Sequence, residues 1–341
     1  MDDLPRFVTV DDYEPAAREL LAPEVYGFFA GGAGDERTLA ENRRAFDRWV
    51  LRPRYLRGAG EPDARTNVLG ADLRFPVVIA PWAFARMAHP SGEIAVRRAA
   101  STAGSIMVVS STSYDVLEDT ARAAAEPAWW QLYLATDRGF SEDMLSRVVA
   151  AGYGAIVWTV DLPAFGLRHR DARLGFEMPV GMRGDDYEFD TMLTWDDLGW
   201  IRERVPGLPV IVKGILTQED ALLAIEHGAA GIVVSNHGGR QLDSAPATLD
   251  ALPAVVDAVA GRIPVLVDGG VRRGTDVVMA LALGAVSVLV ARPVIWGLTV
   301  AGENGVGDVL RILREEVENA MALTGCRTVE EIGRDLVAAR P

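Results

Sequence analysis

Two stretches of the 341-residue chain carry most of its chemistry-bearing side chains. Ser235-Asn236-His237-Gly238-Gly239-Arg240-Gln241-Leu242-Asp243 sets a base, His237, and a fixed cation, Arg240, two glycines apart, directly after the apolar run 230–234. An unalternating, β-branched run reads as a buried parallel strand. The glycines let backbone approach a ligand closely and adopt positive φ. A base beside a cation suits a substrate with a proton to remove and a carboxylate to hold; a strand, a turn and a surface His-Arg pair would also fit. The second stretch is Asp268-Gly269-Gly270-Val271-Arg272-Arg273-Gly274. It offers backbone N–H groups and arginines near an expected helix start, which suits a dianion, and Arg292 adds a further cation. A Gly-rich turn with solvated arginines is the plainer alternative.

The elements that must position these groups show a rhythm. Short apolar runs fall at 76–80, 106–110, 128–133, 155–159, 209–213, 231–235, 264–268 and 287–291. Alanine-rich amphipathic stretches lie between them, among others at 92–103, 142–151, 218–227, 249–260 and 274–283. Eight strands alternating with helices predict an α/β fold, a (β/α)8 TIM barrel, with an open doubly wound sheet as the alternative. In such a barrel the site lies at the C-terminal strand ends, and a phosphate site often forms after strands seven and eight. Ser110, Gln131, Tyr133, Thr159, Asp161, Lys213, Ser235, His237, Arg240, Asp268, Arg272, Ala291 and Arg292 all fall at or just past such ends.

Residues 1–70 are expected to form a helical extension. Thr9-Val10-Asp11-Asp12 has the form of a capping box; helices should follow at 13–21, at 23–30, and from about 35 through Phe46 and Trp49. Gly32-Ala33-Gly34 has Arg37 where a dinucleotide fingerprint needs glycine, so it reads as a helix stop. The polar interval 174–197 after strand four is expected to be an active-site lid or ordered flap. Two terminal helices are expected at 309–323 and 329–339, and the whole chain 1–341 reads as one domain.

Net charge is −14, which argues against nucleic acid and anionic membrane surfaces as partners. The single cysteine, Cys326, leaves no disulfide framework and no cysteine metal cluster, so no metal is expected and a reducing cytoplasm fits. The chain start lacks a signal-peptide pattern, and no uncharged apolar run is long enough for a bilayer span. His89 and His227 read as structural; His169 is left without a role.

These motifs resemble those of the FMN-dependent 2-hydroxy acid oxidases and dehydrogenases (glycolate oxidase, lactate oxidase, mandelate dehydrogenase), over residues 26 to about 338. Residues 235–243 carry the most specific match, supported by 268–274 and by Gln131-Leu132-Tyr133. The resemblance implies FMN as cofactor and oxidation of a hydroxy acid to a keto acid. It implies His237 as base, Asp161 as its partner, Arg240 and Arg168 as carboxylate clamp, and Tyr133 as a substrate hydrogen-bonding group. Lys213 would sit at the flavin N1–C2=O edge. Pro81, Ala83, Ser110, Gln131 and Thr159 would bind the isoalloxazine, and Ser235, Asp268, Gly270, Arg272, Ala291 and Arg292 the rest of the cofactor. A homotetramer is implied as well.

The chain departs from the glycolate-type pattern. Phe28 stands where those members have tyrosine, and Thr112 where they have tryptophan. With Phe165 beside them, these changes favour a larger, aromatic side chain on the substrate. Trp82 replaces a smaller residue. The expectation is therefore a soluble (S)-2-hydroxy acid oxidase acting on mandelate or 4-hydroxymandelate, with molecular oxygen as acceptor and hydrogen peroxide as product. Competing expectations are a glycolate- or lactate-type enzyme with another acceptor, a flavin-dependent isoprenoid diphosphate isomerase, and a non-catalytic binding barrel.

Overall fold

The structure is a computed structural model that describes residues 7–58, 60–179 and 188–340. The eight apolar runs form eight parallel strands: β1 (Val77–Ile79), β2 (Val108–Ser110), β3 (Trp129–Leu132), β4 (Ala155–Thr159), β5 (Val210–Ile215), β6 (Gly231–Val234), β7 (Val265–Asp268) and β8 (Ser287–Val290). β1 pairs with β8, and the order then runs back through β7 to β2. A parallel bridge between Ile79 and Met107 and a 2.8 Å bond from Ile79 N–H to the Ile106 carbonyl join β1 to the start of β2. The sheet is therefore a barrel rather than an open doubly wound sheet.

Successive side chains of a strand point to opposite faces, and both faces are buried here. Val78, Val108, Trp129, Val157, Ile211, Val233, Leu266 and Leu289 fill the barrel interior. Their neighbours Ile79, Val109, Trp130, Ile156, Val212, Val234 and Val288 belong to the outer core under the helices. This double burial explains why the strands read as continuous apolar runs. A hairpin of Thr66–Val68 and Ala71–Leu73 packs Val68 and Leu73 against the interior cluster.

The extension differs from the helical expectation in part. Asp12 does cap, its carboxylate accepting from Thr9 N–H at 2.8 Å and Val8 N–H at 2.9 Å. Helices Tyr13–Leu20, Pro23–Ala30 and Arg37–Asp47 follow. The third helix stops before Trp49, which opens the short strand Trp49–Leu51. The 66–73 hairpin is likewise not helical. At the other end, Arg292–Thr324 is helical with a break at Ala301 and Gly302, but 329–339 is not a helix. It forms two 3-10 turns and the strand Val337–Ala339, antiparallel to Trp49–Leu51. Pairing across 288 residues of sequence decides both segments, and local apolar spacing carries no sign of it. Of the interval 174–197, residues 180–187 lie outside the described residues; Phe189 bridges Ala135, and a helix begins at Asp196. Among the described residues no helix is long and apolar enough to cross a membrane.

Candidate active site

A cleft opens at the C-terminal strand ends. Its walls include Pro81, Ala83, Ser110, Gln131, Tyr133, Thr159, Lys213, Asp268, Gly270, Arg272, Ala291 and Arg292, together with Phe28, Thr112, Phe165, Arg168, His237 and Arg240. Asp161 and Ser235 are not in the lining. They lie behind it, bonded to residues that are.

Behind the wall runs a polar chain. The Lys213 ammonium donates to Ser235 Oγ at 2.9 Å and sits 3.3 Å from Asp268 Oδ2; Ser235 Oγ donates to that same oxygen at 2.9 Å. Ser235 Oγ also accepts the His237 N–H at 3.1 Å. Burial works against the Lys213 charge, but Asp268 and then Asp161 outweigh it and raise its pKa, so the ammonium stays charged. β5 is irregular here. Gly214 has φ +119°, and a Cβ there would lie 2.8 Å from that of Asp161. Glycine at this bulge is what lets Asp161 approach.

His237 follows β6 in the left-handed region, φ 58°, and Gly238 and Gly239 continue it at 62° and 76°. Asn236 holds this turn, its Oδ1 accepting from Gly239 N–H at 3.1 Å while it exchanges amide bonds of 2.8 and 2.9 Å with Asn42. The His237 imidazole Nδ1 lies 2.9 Å from Asp161 Oδ1. Burial pushes the Asp161 carboxyl up, but His237 and Lys213 outweigh it and hold it below the ordinary carboxylate value. An ionised carboxylate only accepts, so Nδ1 carries the proton and Nε2 keeps its lone pair. That Nε2 faces the Tyr133 hydroxyl, 3.4 Å away. Burial, with Lys213 and Arg168 adding to it, holds the His237 pKa below its ordinary value against the pull of Asp161. The imidazole is thus a neutral base aimed into the cleft.

Arg240 and Arg168 share the Phe28 ring, with guanidinium carbons 4.9 and 5.8 Å from its centroid. Arg240 donates to the carbonyls of Phe28 at 2.6 Å and Gly31 at 3.0 Å. Burial first, then Arg168 and Arg292, drive the Arg240 pKa well below its ordinary value. Crowded cations of this kind favour an anion between them. The segment bearing Asp161, Phe165 and Arg168 is docked on the 240–241 backbone. Gln241 Nε2 donates to the carbonyls of Asp161 at 2.8 Å and Ala164 at 3.0 Å, and a Cβ on Gly166 would lie 2.6 Å from the Gln241 carbonyl oxygen.

An aromatic wall closes the outer cleft. Phe28 stacks on Phe176 at 4.3 Å and approaches Phe84 at 5.8 Å; Phe189 meets Tyr133 at 4.9 Å and Phe165 at 5.6 Å. Thr112 is buried, with its hydroxyl 2.8 Å from that of Ser110. Trp82 also lines the cleft, and nothing in the structure explains its replacing a smaller residue.

Phe84, Leu162, Met178 and Phe189 went unnoticed in the sequence as wall residues; Phe84 and Leu162 could have been found from their position just past strand ends. Gln241 and Asn236 lie inside the 235–243 stretch, but no local pattern announces the hold of Gln241 on 161–164 or the pairing of Asn236 with Asn42. His89 is turned locally onto Ser91 at 2.7 Å, and His227 ends the Gln218–Glu226 helix. Neither lines the cleft. His169 opens the helix His169–Leu174.

The inner cleft fits a flavin nucleotide. Gln131 Nε2 and Thr159 Oγ1 are buried there without hydrogen-bond partners, and buried polar groups of that kind ordinarily have one. Arg272 and Arg292 are crowded too. Burial, then the neighbouring Arg272, pushes the Arg292 pKa down to about 10, and burial, then Arg43, lowers that of Arg272. A dianion would relieve both. Three amides of the 268–274 motif are already engaged: the N–H groups of Arg272 and Arg273 donate to Asp276 at 2.8 and 3.0 Å, and that of Gly274 to Glu316 at 2.7 Å. Among the described residues no group of His, Cys, Asp and Glu is arranged to hold a metal ion.

Comparison with known proteins agrees with this chemistry. The family model described as FMN-dependent dehydrogenase matches residues 17–187 and 182–339. 2-Hydroxyacid oxidase 1 of Mus musculus is 44% identical, covering 99% of this chain and 98% of its own. Glycolate oxidase of Spinacia oleracea is 45% identical, with 97% and 95% covered. A solved mandelate oxidase with benzoyl-formic acid superposes with a TM-score of 0.93 at 43% identity, covering 98% of each chain. The chain belongs to the FMN-dependent dehydrogenase family, as an FMN-dependent oxidoreductase of 2-hydroxy acids.

Proposed function

We propose that the protein oxidises (S)-2-hydroxy acids with an aryl side chain, mandelate or 4-hydroxymandelate, to the aryl glyoxylate, with molecular oxygen as acceptor and hydrogen peroxide as product. The observation that carries the aryl reading is the wall of Phe28, Phe84, Phe165 and Phe189 beside a small Thr112 at the outer cleft. Aromatic side chains favour offset or edge contacts with an aryl substrate. The mandelate oxidase likeness supports the same reading.

FMN, when bound, takes up the two electrons that leave the α-carbon. Gln131, Thr159, Ser110, Pro81 and Ala83 would hold the ring, and Asp268, Gly270, Arg272, Ala291 and Arg292 the ribityl phosphate, with Ser235 acting from behind through Lys213 and Asp268. Arg240 and Arg168 clamp the substrate carboxylate, which fixes the α-carbon's orientation. The Tyr133 hydroxyl hydrogen-bonds the substrate. His237 Nε2 takes a proton as the hydroxy acid becomes a keto acid, and Asp161 stabilises the imidazolium that results. Lys213, kept charged by Asp268 and Asp161, would hold its ammonium against the flavin ring and favour negative charge there.

Thr112→Trp tests the pocket. It should cut kcat/KM for (S)-mandelate by about tenfold or more, on the order expected for filling an apolar pocket, while sparing glycolate. Equal losses on both acids would remove the pocket argument. We also propose a homotetramer, by likeness to the family, and a cytoplasmic location, which the lone cysteine fits; sedimentation of the holoenzyme checks the first.

A further inference from the structure

Glu93 is a buried acid that the reaction does not use. It lies on the Gly92–Ala103 helix, 1% exposed, between the loops that follow β1 and β2. Its Oε1 accepts the Ala85 N–H at 3.3 Å and the Tyr114 N–H at 3.2 Å; Oε2 is buried with no donor facing it, and the Asp115 carboxyl stands near enough to share a proton with the acid. Each of those amides adjoins the aromatic wall. Ala85 follows Phe84, which lines the cleft and sits in the left-handed region at φ 64°. A bulky residue keeps such a conformation only where its surroundings over-determine it. Tyr114 follows Thr112 by two residues, and its ring meets that of Phe84 at 5.7 Å.

We propose that Glu93 is a positioning residue for the substrate wall: its carboxylate ties the β1 loop to the β2 loop and so sets where Phe84 and Thr112 stand around the substrate's side chain. This rests on the aryl reading of the cleft. Ionisation matters to the grip, because hydrogen bonds to a charged acceptor are roughly twice as strong as neutral ones. Burial pushes the Glu93 acid up to about 6, with Asp115 adding to it and the Glu93 and Tyr114 amides opposing. The ionisable groups facing it are Asp115 and Tyr114 from the β2 loop, and Asp115 is in turn paired with Arg86 of the β1 loop. The grip therefore weakens as pH falls through that region.

The test is the KM of the FMN-loaded enzyme for (S)-mandelate and for glycolate between pH 5 and 8. The ratio of the two cancels the titration of His237, common to both substrates. Glu93→Ala should raise the mandelate KM about tenfold, the order expected for losing charge-assisted bonds, and leave glycolate within about twofold. In the wild type the mandelate-to-glycolate KM ratio should rise below about pH 6, and in Glu93→Gln that step should vanish. Equal KM changes on both acids, or none in a folded yellow Glu93→Ala protein, overturn the proposal. Should Glu93→Ala fail to fold, the step decides alone: its persistence in Glu93→Gln, or its absence from the wild type, overturns it. A wild type that prefers glycolate overturns the aryl reading instead. Glu93 is then judged by benzoylformate binding, read from the flavin spectrum, which Glu93→Ala should weaken about tenfold if the wall is displaced and leave unchanged if it is not.

Discussion

His237 holds a backbone conformation that few side chains adopt, between a buried carboxylate on one ring nitrogen and the cleft on the other. Its neutral state is what the base role needs. Because burial depresses its pKa from 6.5, the acid limb of kcat/KM should lie below that value and the rate should level off above it. Asp161→Asn removes the charge that pulls the pKa up, so the limb should move to lower pH and the plateau should fall. A pH-rate profile of both proteins checks the pair. His237→Ala should slow flavin reduction by about 10²–10⁴-fold, the usual worth of a general base, with FMN still bound; stopped-flow absorbance reads it. The types of these residues were legible in the sequence, since His237 and Arg240 leave one strand end together. That Asp161 meets His237 across 76 residues was not. Only the family resemblance implied it, because no local pattern records which two strand ends face each other.

Elements carry the site through a few close approaches. The segment from Asp161 to Arg168 is locked on the backbone of Arg240 and Gln241, where a Cβ on Gly166 would overlap both carbonyl oxygens. Gly166→Ala should therefore lower stability by about 1–3 kcal/mol, the usual cost of overpacking, and raise KM by displacing Arg168 together with Asp161. A thermal melt and a KM measurement on one preparation check both. The barrel strands were readable because burial on both faces leaves continuous β-branched runs. The terminal strand pair was not, since Trp49–Leu51 and Val337–Ala339 are each three residues long and owe their form to each other. The 268–274 turn shows a third kind of limit. Its glycines and arginines were visible, but three of its amides are spent on Asp276 and Glu316, and only side-chain placement reveals that.

Over the whole molecule, the barrel brings groups from eight strand ends to one cleft, with a cationic inner part and an aromatic outer part. Its net charge of −14 does not oppose anion binding, because Arg168, Arg240, Arg272 and Arg292 all point into that cleft. Stability should carry a signature of Glu93. Its folded pKa is about 6, above the ordinary 4.5, so its contribution is complete below 4.5 and is lost as pH rises through about 6. Glu93→Gln should lack that loss, which melts at pH 4.5 and 7 in the two proteins would reveal. The most direct test of the central claim is an anaerobic titration of the yellow holoenzyme with (S)-mandelate, (R)-mandelate, L-lactate and glycolate, following the flavin absorbance. Bleaching by (S)-mandelate well ahead of the others is the expected result, with recovery of the yellow colour once air is admitted. Bleaching led by glycolate or L-lactate would contradict the aryl cleft, and bleaching led by (R)-mandelate would contradict the assigned hand.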